Sequence, residues 1–150
     1  MQIPTTVLNA IQQSWGWTGL EPAAVTATNE FGNLIVRATD GAHWHICPEA
    51  LSCKVVAFGT DDFEAIWADF SFQRDWQMRR LVDAAAAKLG PLTTEDRCYC
   101  LKLAAVLGGK YDASNFGTIS RAELIAFSGD LAKKIKYLPD GKEVRITSTR

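Results

Sequence analysis

His43, His45 and Cys47 stand at alternate positions of one short run, with Cys53 soon after, and imidazoles and thiols are the side chains that bind zinc. In an extended strand, alternate positions share one face. Groups stacked along one strand are about 6 to 7 Å apart, too far to share an ion without bending, and the spacing fits no common zinc signature. A strand face is the plainer reading. Cys98 and Cys100 lack the spacing of a Cys-x-x-Cys redox motif and read as small core residues. Gly108-Gly109-Lys110 resembles a fragment of a phosphate loop, but Tyr111 follows the lysine and no glycine stands at the earlier position the motif requires. Hydrolysis would need a serine or cysteine nucleophile beside a base, and both histidines of the chain fall in one predicted strand. No catalytic residue, cofactor-binding residue or metal ligand is assigned.

What remains is charge. Asp61, Asp62, Glu64, Asp69 and Asp75 gather in one stretch. Carboxylates in a first helical turn complement the helix dipole, and a carboxylate face on a helix pair also mimics phosphate or complements a basic enzyme cleft. Lys110, Asp112 and Asn115 sit in a glycine-containing loop, where such residues either make turns or meet a partner. The candidate partner-binding residues are Asp61, Asp62, Glu64, Asp69, Lys110, Asp112 and Asn115. The lysines Lys133, Lys134 and Lys136 fall at a predicted helix end, where cations offset the dipole.

These side chains need elements to hold them. The run from Leu101 to Gly129 organises the prediction, joining a strand to a long helix through a loop that holds Gly108, Gly109, Asn115 and Gly117. Upstream, Pro4 opens a helix carrying Val7, Leu8, Ile11 and Trp15 at helical spacing and ending near Gly16. After a break at Leu20-Glu-Pro-Ala, strands are expected at 25–28, 34–38, 43–47 and 53–58, with Asp40-Gly41 as a hairpin turn. Thr60 is the expected N-cap of a helix with Phe63, Ile66, Trp67 and Phe70 on its apolar face. Ser71 is the expected N-cap of a longer helix, striped by Met78, Leu81, Val82, Ala85 and Leu89 and stopped by Gly90-Pro91.

The run 97–103 alternates, placing Cys98, Cys100 and Lys102 on one face and Tyr99, Leu101 and Leu103 on the other. Thr118-Ile119 reads as a short strand. Ser120 with Glu123 matches a capping box, and Leu124, Phe127, Leu131 and Ile135 form the apolar stripe of the helix behind it, with Gly129 inside at some cost. Leu138-Pro-Asp-Gly is a turn and 143–148 a last strand. The order predicts an α+β fold: a single domain over 1–150, its sheet mostly antiparallel, a meander near the N-terminus packed with amphipathic helices.

A chain of 150 residues buries enough surface for a core without staples, and 47% hydrophobic residues with 22% charged ones supply it. A net charge of −1 argues against direct nucleic-acid binding. Met1-Gln-Ile-Pro-Thr-Thr lacks the basic and apolar regions of a secretory signal, and no run approaches the roughly 20 apolar residues of a membrane span. A cytoplasmic protein with four free thiols is expected.

The runs Asn29-Glu-Phe-Gly-Asn-Leu, Trp44-His-Ile-Cys-Pro-Glu, Asp75-Trp-Gln-Met-Arg-Arg-Leu, Tyr99-Cys-Leu-Lys, Leu107-Gly-Gly-Lys-Tyr, Ser114-Asn, Glu123-Leu-Ile-Ala-Phe-Ser-Gly and Leu138-Pro-Asp-Gly span nearly the whole chain. In this order they resemble the C-terminal domain of bacterial type VI secretion immunity proteins of the Tdi type. The resemblance implies a non-enzymatic cytoplasmic protein that binds and neutralises a cognate toxin, in the founding case a DNase effector. The founding type carries a further N-terminal domain, whereas here only a short segment precedes the first predicted strand. Two rival readings stand beside it: a small metal-dependent protein or enzyme using His43, His45 and Cys47, and a structural adaptor.

Overall fold

The computed structural model describes residues 3–138. Helix α1 (Thr5–Trp15) starts directly after Pro4, whose fixed φ suits a helix entry. Strands β1 (Pro22–Thr28), β2 (Leu34–Ala38), β3 (His43–Cys47) and β4 (Ser52–Ala57) then form an antiparallel meander in sequence order. The four strands expected for the meander are present, and β1 starts earlier than its β-branched residues indicate. The Asp40-Gly41 hairpin forms as expected, with Gly41 at φ 91° and Asp40 accepting from the Ala42 amide at 3.0 Å.

Leu34, Ile35 and Val36 are consecutive and all buried, which an antiparallel strand achieves only when both faces are covered. On one face α1 and α5 (Arg121–Ile135) pack over Leu34, Val36 and Ile46. On the other, α2 (Thr60–Trp67) and α3 (Phe70–Gln77) bring Phe63, Trp67, Phe72 and Trp76 over Ala27, Ile35 and Val56. A separate antiparallel hairpin, β5 (Arg97–Leu101) with β6 (Phe116–Ser120), packs with α4 (Arg79–Leu89) around Phe31, Val82, Ala85, Tyr99 and Phe116. The α+β class is as the sequence predicts, with two sheets among the described residues.

Several local expectations are corrected. Gly59, not Thr60, is the N-cap of α2, and Thr60 is its first residue. Asp69, not Ser71, caps α3, its carboxylate accepting from the Phe72 amide at 3.0 Å. The helix expected from 71 to 89 is two helices, because Met78 takes a left-handed conformation at φ 48° between them. Tertiary packing overrides propensity there. Trp76 is held against the meander by its indole N–H donating to the Thr28 carbonyl at 3.0 Å, while α4 belongs to the other core. The Trp76 carbonyl at the break accepts from the Asn29 side-chain amide at 2.9 Å.

Phe70 is not part of an inward stripe, being 79% exposed, and Phe127 of α5 is 39% exposed. Leu124 and Leu131 of the expected stripe are buried, and the buried side of α5 also includes Ile125, Ser128, Gly129 and Ala132. Strand β5 stops at Leu101, and Cys98 and Tyr99 are both fully buried despite pointing to opposite faces. Tyr99 enters the α4 core, and Cys98 lies with Leu124 of α5 beside Gly32. The Ser120 cap is present, its hydroxyl accepting from the Glu123 amide at 3.2 Å. The strand expected at 143–148 lies outside the described residues, as does most of the Leu138-Pro-Asp-Gly turn.

Candidate functional site

Strand β3 puts His43 and His45 against α2 and α3. The His43 ring lies flat on Phe63, centroids 4.4 Å apart and planes 4° apart, and its Nδ1 has no hydrogen-bond partner. His45 meets the edge of Trp76 at 5.2 Å, and its Nε2 lies 2.8 Å from Asn33 Oδ1. The Asn33 amide nitrogen donates to both Glu49 oxygens, at 3.0 and 3.1 Å. With that nitrogen committed, Asn33 offers His45 an acceptor, so the Nε2–H tautomer of His45 satisfies the contact. Asn33 and Glu49 are both buried, which makes the three residues one internal polar chain.

Burial sets the titration of the whole cluster. It lowers His43, with the Arg37 charge adding to the effect and a hydrogen bond to the Gly41 backbone opposing it, and it lowers His45. It raises Glu49 against the contrary pull of Asn33. The thiols are pushed up to about 12 at Cys47, where the Glu49 charge also contributes, about 11 at Cys53 and about 12 at Cys98. Thiols held so far from thiolate are poor nucleophiles at neutral pH. Among the described residues, no group of three or more His, Cys, Asp or Glu is placed to hold a metal ion. The ligand set of the metal-dependent reading is not assembled.

The histidine shifts have a measurable consequence. Both imidazoles titrate below their ordinary 6.5 when folded, so the unfolded chain binds protons first as pH falls. Their contribution to stability is complete above about pH 6.5 and is lost progressively below it. Glu49 acts oppositely: its folded value lies above 4.5, so it disfavours the native state at neutral pH and less so as pH falls toward 4.5. Thermal unfolding followed from pH 8 to pH 5 should show a falling midpoint below pH 6.5, and His43→Phe should flatten that fall. A profile unaffected by His43→Phe would contradict the assignment.

The loop between β5 and β6 is held by its own backbone. Asn115 Oδ1 accepts from the Leu103 amide at 2.9 Å, while Nδ2 donates to the carbonyls of Leu103 and Lys110 at 2.9 and 3.0 Å. Asp112 accepts from the Ser114 amide at 3.0 Å and from the Ser114 hydroxyl, and this bonding to Ser114 lowers its carboxyl. At Gly109 a Cβ would sit 1.8 Å from the Leu103 carbonyl oxygen, so no other residue fits. Lys110 is exposed and Tyr111 partly so, its phenol raised by burial and by the nearby Glu49 and Cys47. Asn115 and Asp112 thus shape the loop, and Lys110 and Asp112 are both exposed to solvent.

Asp61, Asp62 and Glu64 are exposed on α2, and Asp69 and Asp75 on the cap and body of α3. Asp62 accepts from the Phe58 amide at 3.3 Å. The acidic residues and the loop residues are carried by different elements, the former over the Ile35 face of the meander and the latter between β5 and β6. A small cavity of about 50 Å³ lies under Phe31, Leu101, Leu124, Phe127 and Leu131, with Glu49 in its wall.

Asn29, Asn33, Glu49 and Arg121 are structural centres that the sequence does not single out, and Phe58 and Phe70 are exposed aromatics that it does not mark as such. Asn29 illustrates why. Its Oδ1 accepts from the amides of Phe31 and Asn33, both at 3.0 Å, while its Nδ2 reaches across to Trp76. The first two bonds belong to an Asx turn that sequence can suggest, but the third spans two elements and leaves no local signal.

The fold is therefore α+β, with His43 and Cys98 buried, His45 and the other three thiols half-buried, and its concentrated charge outside on α2 and α3. Residues 57–132, just over half of the chain, match the family described as T6SS immunity protein Tdi1, C-terminal. The chain belongs to that family. No curated protein matches it.

Proposed function

We propose that this chain binds and neutralises a cognate toxin, a nuclease effector of a type VI secretion system, in the cytoplasm and without chemistry of its own. The observation that carries the reading is the placement of the family match. It runs from the last residue of β4 into α5 and includes Asp61, Asp62, Glu64, Asp69, Lys110, Asp112 and Asn115, while His43, His45 and Cys47 lie outside it. A nuclease must attract phosphate with clustered Lys and Arg. The stretch 58–77 holds five carboxylates against one arginine, a net charge of −4 in a chain whose total is −1. Such a surface complements a basic cleft and speeds association with it. Lys110 supplies a contact from the β5–β6 loop, whose shape Asp112 and Asn115 maintain.

The test uses the effector encoded beside this gene. Its nuclease activity on plasmid DNA should fall at least 100-fold with one equivalent of the protein, and the two should co-purify. Undiminished cleavage in the presence of a fivefold excess would defeat the reading.

A further inference from the structure

We propose that Phe58 and Phe70 are the aromatic anchors of the toxin interface, set in an acidic surround that selects a basic partner face. The inference rests on the immunity reading and names where that partner docks. Phe58 is 84% exposed and Phe70 79%, the most exposed large apolar side chains of the matched stretch. Neither joins the three cores described above. Tyr137 is as exposed, but it lies outside the match and Lys136 covers its ring at 4.7 Å.

The two phenylalanines bracket α2, an eight-residue helix about 12 Å long. That separation is within the span of a standard interface, about 800 Å² per partner. Between them α2 presents Asp61, Asp62 and Glu64 to solvent, and Asp69 immediately precedes Phe70. Aromatic side chains surrounded by residues that exclude water are the usual energetic centre of a protein interface. The charge decides the occupant. A second copy seated here would oppose one −4 stretch with another, whereas the phosphate-binding face of a nuclease brings the complementary sign.

The probe is the adjoining gene's effector with its catalytic site disabled, and binding is measured by interferometry. Phe58→Ser with Phe70→Ser should weaken binding at least 100-fold while leaving the thermal midpoint within 2 °C, as expected for exposed side chains. Asp61→Lys with Asp62→Lys and Glu64→Lys should slow association at least tenfold and flatten its dependence on salt. If the wild type binds and both variants bind within threefold of it, the docking surface is refuted while the immunity reading stands. If the wild type does not bind the effector, both fail together. A wild-type dimer that the double serine variant converts to monomer would identify a second copy as the occupant and overturn the proposal.

Discussion

Replacing Gly129 by alanine is expected to lower the unfolding free energy by about 2 to 3 kcal/mol, and with it the thermal midpoint by roughly 4 to 12 °C. Helix propensity alone predicts the opposite sign, since alanine is favoured over glycine inside a helix by up to about 1 kcal/mol. Packing decides against propensity. A Cβ at Gly129 would lie 2.4 Å from the Ser14 carbonyl oxygen and 2.7 Å from its carbonyl carbon, and backbone atoms cannot swing aside as a flexible side chain can. Helices α1 and α5 would have to separate. That movement would stretch the bonds in which the Trp15 indole donates to the Ile125 carbonyl at 3.1 Å and the Trp17 indole to the Gly129 carbonyl at 3.3 Å. Gly41→Ala is the control. It has open space around it and φ 91°, so only the left-handed backbone penalty of about 1 to 2 kcal/mol applies. Chemical denaturation of both variants, with circular dichroism as readout, compares them, and a Gly129→Ala protein more stable than wild type would refute the close-approach account.

Gly129 also shows how far sequence carries. Its helix was legible from the Ser120 cap and the spacing of Leu124, Leu131 and Ile135, because those signals are local. The cost of a mid-helix glycine was legible too, but its reason lay 115 positions away, at Ser14. The meander was the most readable part of the fold, since β-branched runs separated by Asp40-Gly41 encode both strands and turn. The break at Met78 left no such mark. Nothing about methionine invites a left-handed backbone, and the conformation is imposed by Trp76 and α4 serving different cores.

The surface was legible by charge and illegible by exposure. Asp61, Asp62 and Glu64 stand out in any reading of the chain, whereas Phe70 continues the helical spacing of Phe63 and Trp67 and so reads as core. It faces solvent because the chain turns at Asp69, whose side chain caps a new helix and resets the phase. The histidines fail the other way: chemically conspicuous in the sequence, they are packed on Phe63 and Trp76 inside the fold.

Arg121→Met should cost about 3 kcal/mol, the largest effect expected from removing polar atoms alone. Arg121 is only 5% exposed. Its Nε donates to the Glu95 carbonyl at 2.8 Å and its Nη1 to the Asn29 carbonyl at 2.9 Å, while its own amide donates to Asp96 at 2.7 Å. One side chain thus ties the start of α5 to the loop before β5 and to the turn between β1 and β2. Methionine keeps most of the apolar stem but loses both bonds from the charged guanidinium, each worth about 1.5 to 3 kcal/mol, and leaves the Asn29 carbonyl with only the Gly32 amide at 3.2 Å. Relief from burying a cation returns part of that, and the sum remains unfavourable. Lysine is the informative comparison, because a single ammonium cannot reach two carbonyls as the guanidinium fork does. Arg121→Lys should recover less than half of the loss. Hydrogen exchange should then show the Tyr99 amide, which donates to the Glu30 carbonyl at 2.7 Å, opening faster in both variants. Full recovery by lysine would mean that the positive charge, and not the two directed hydrogen bonds, holds the hairpin to the meander.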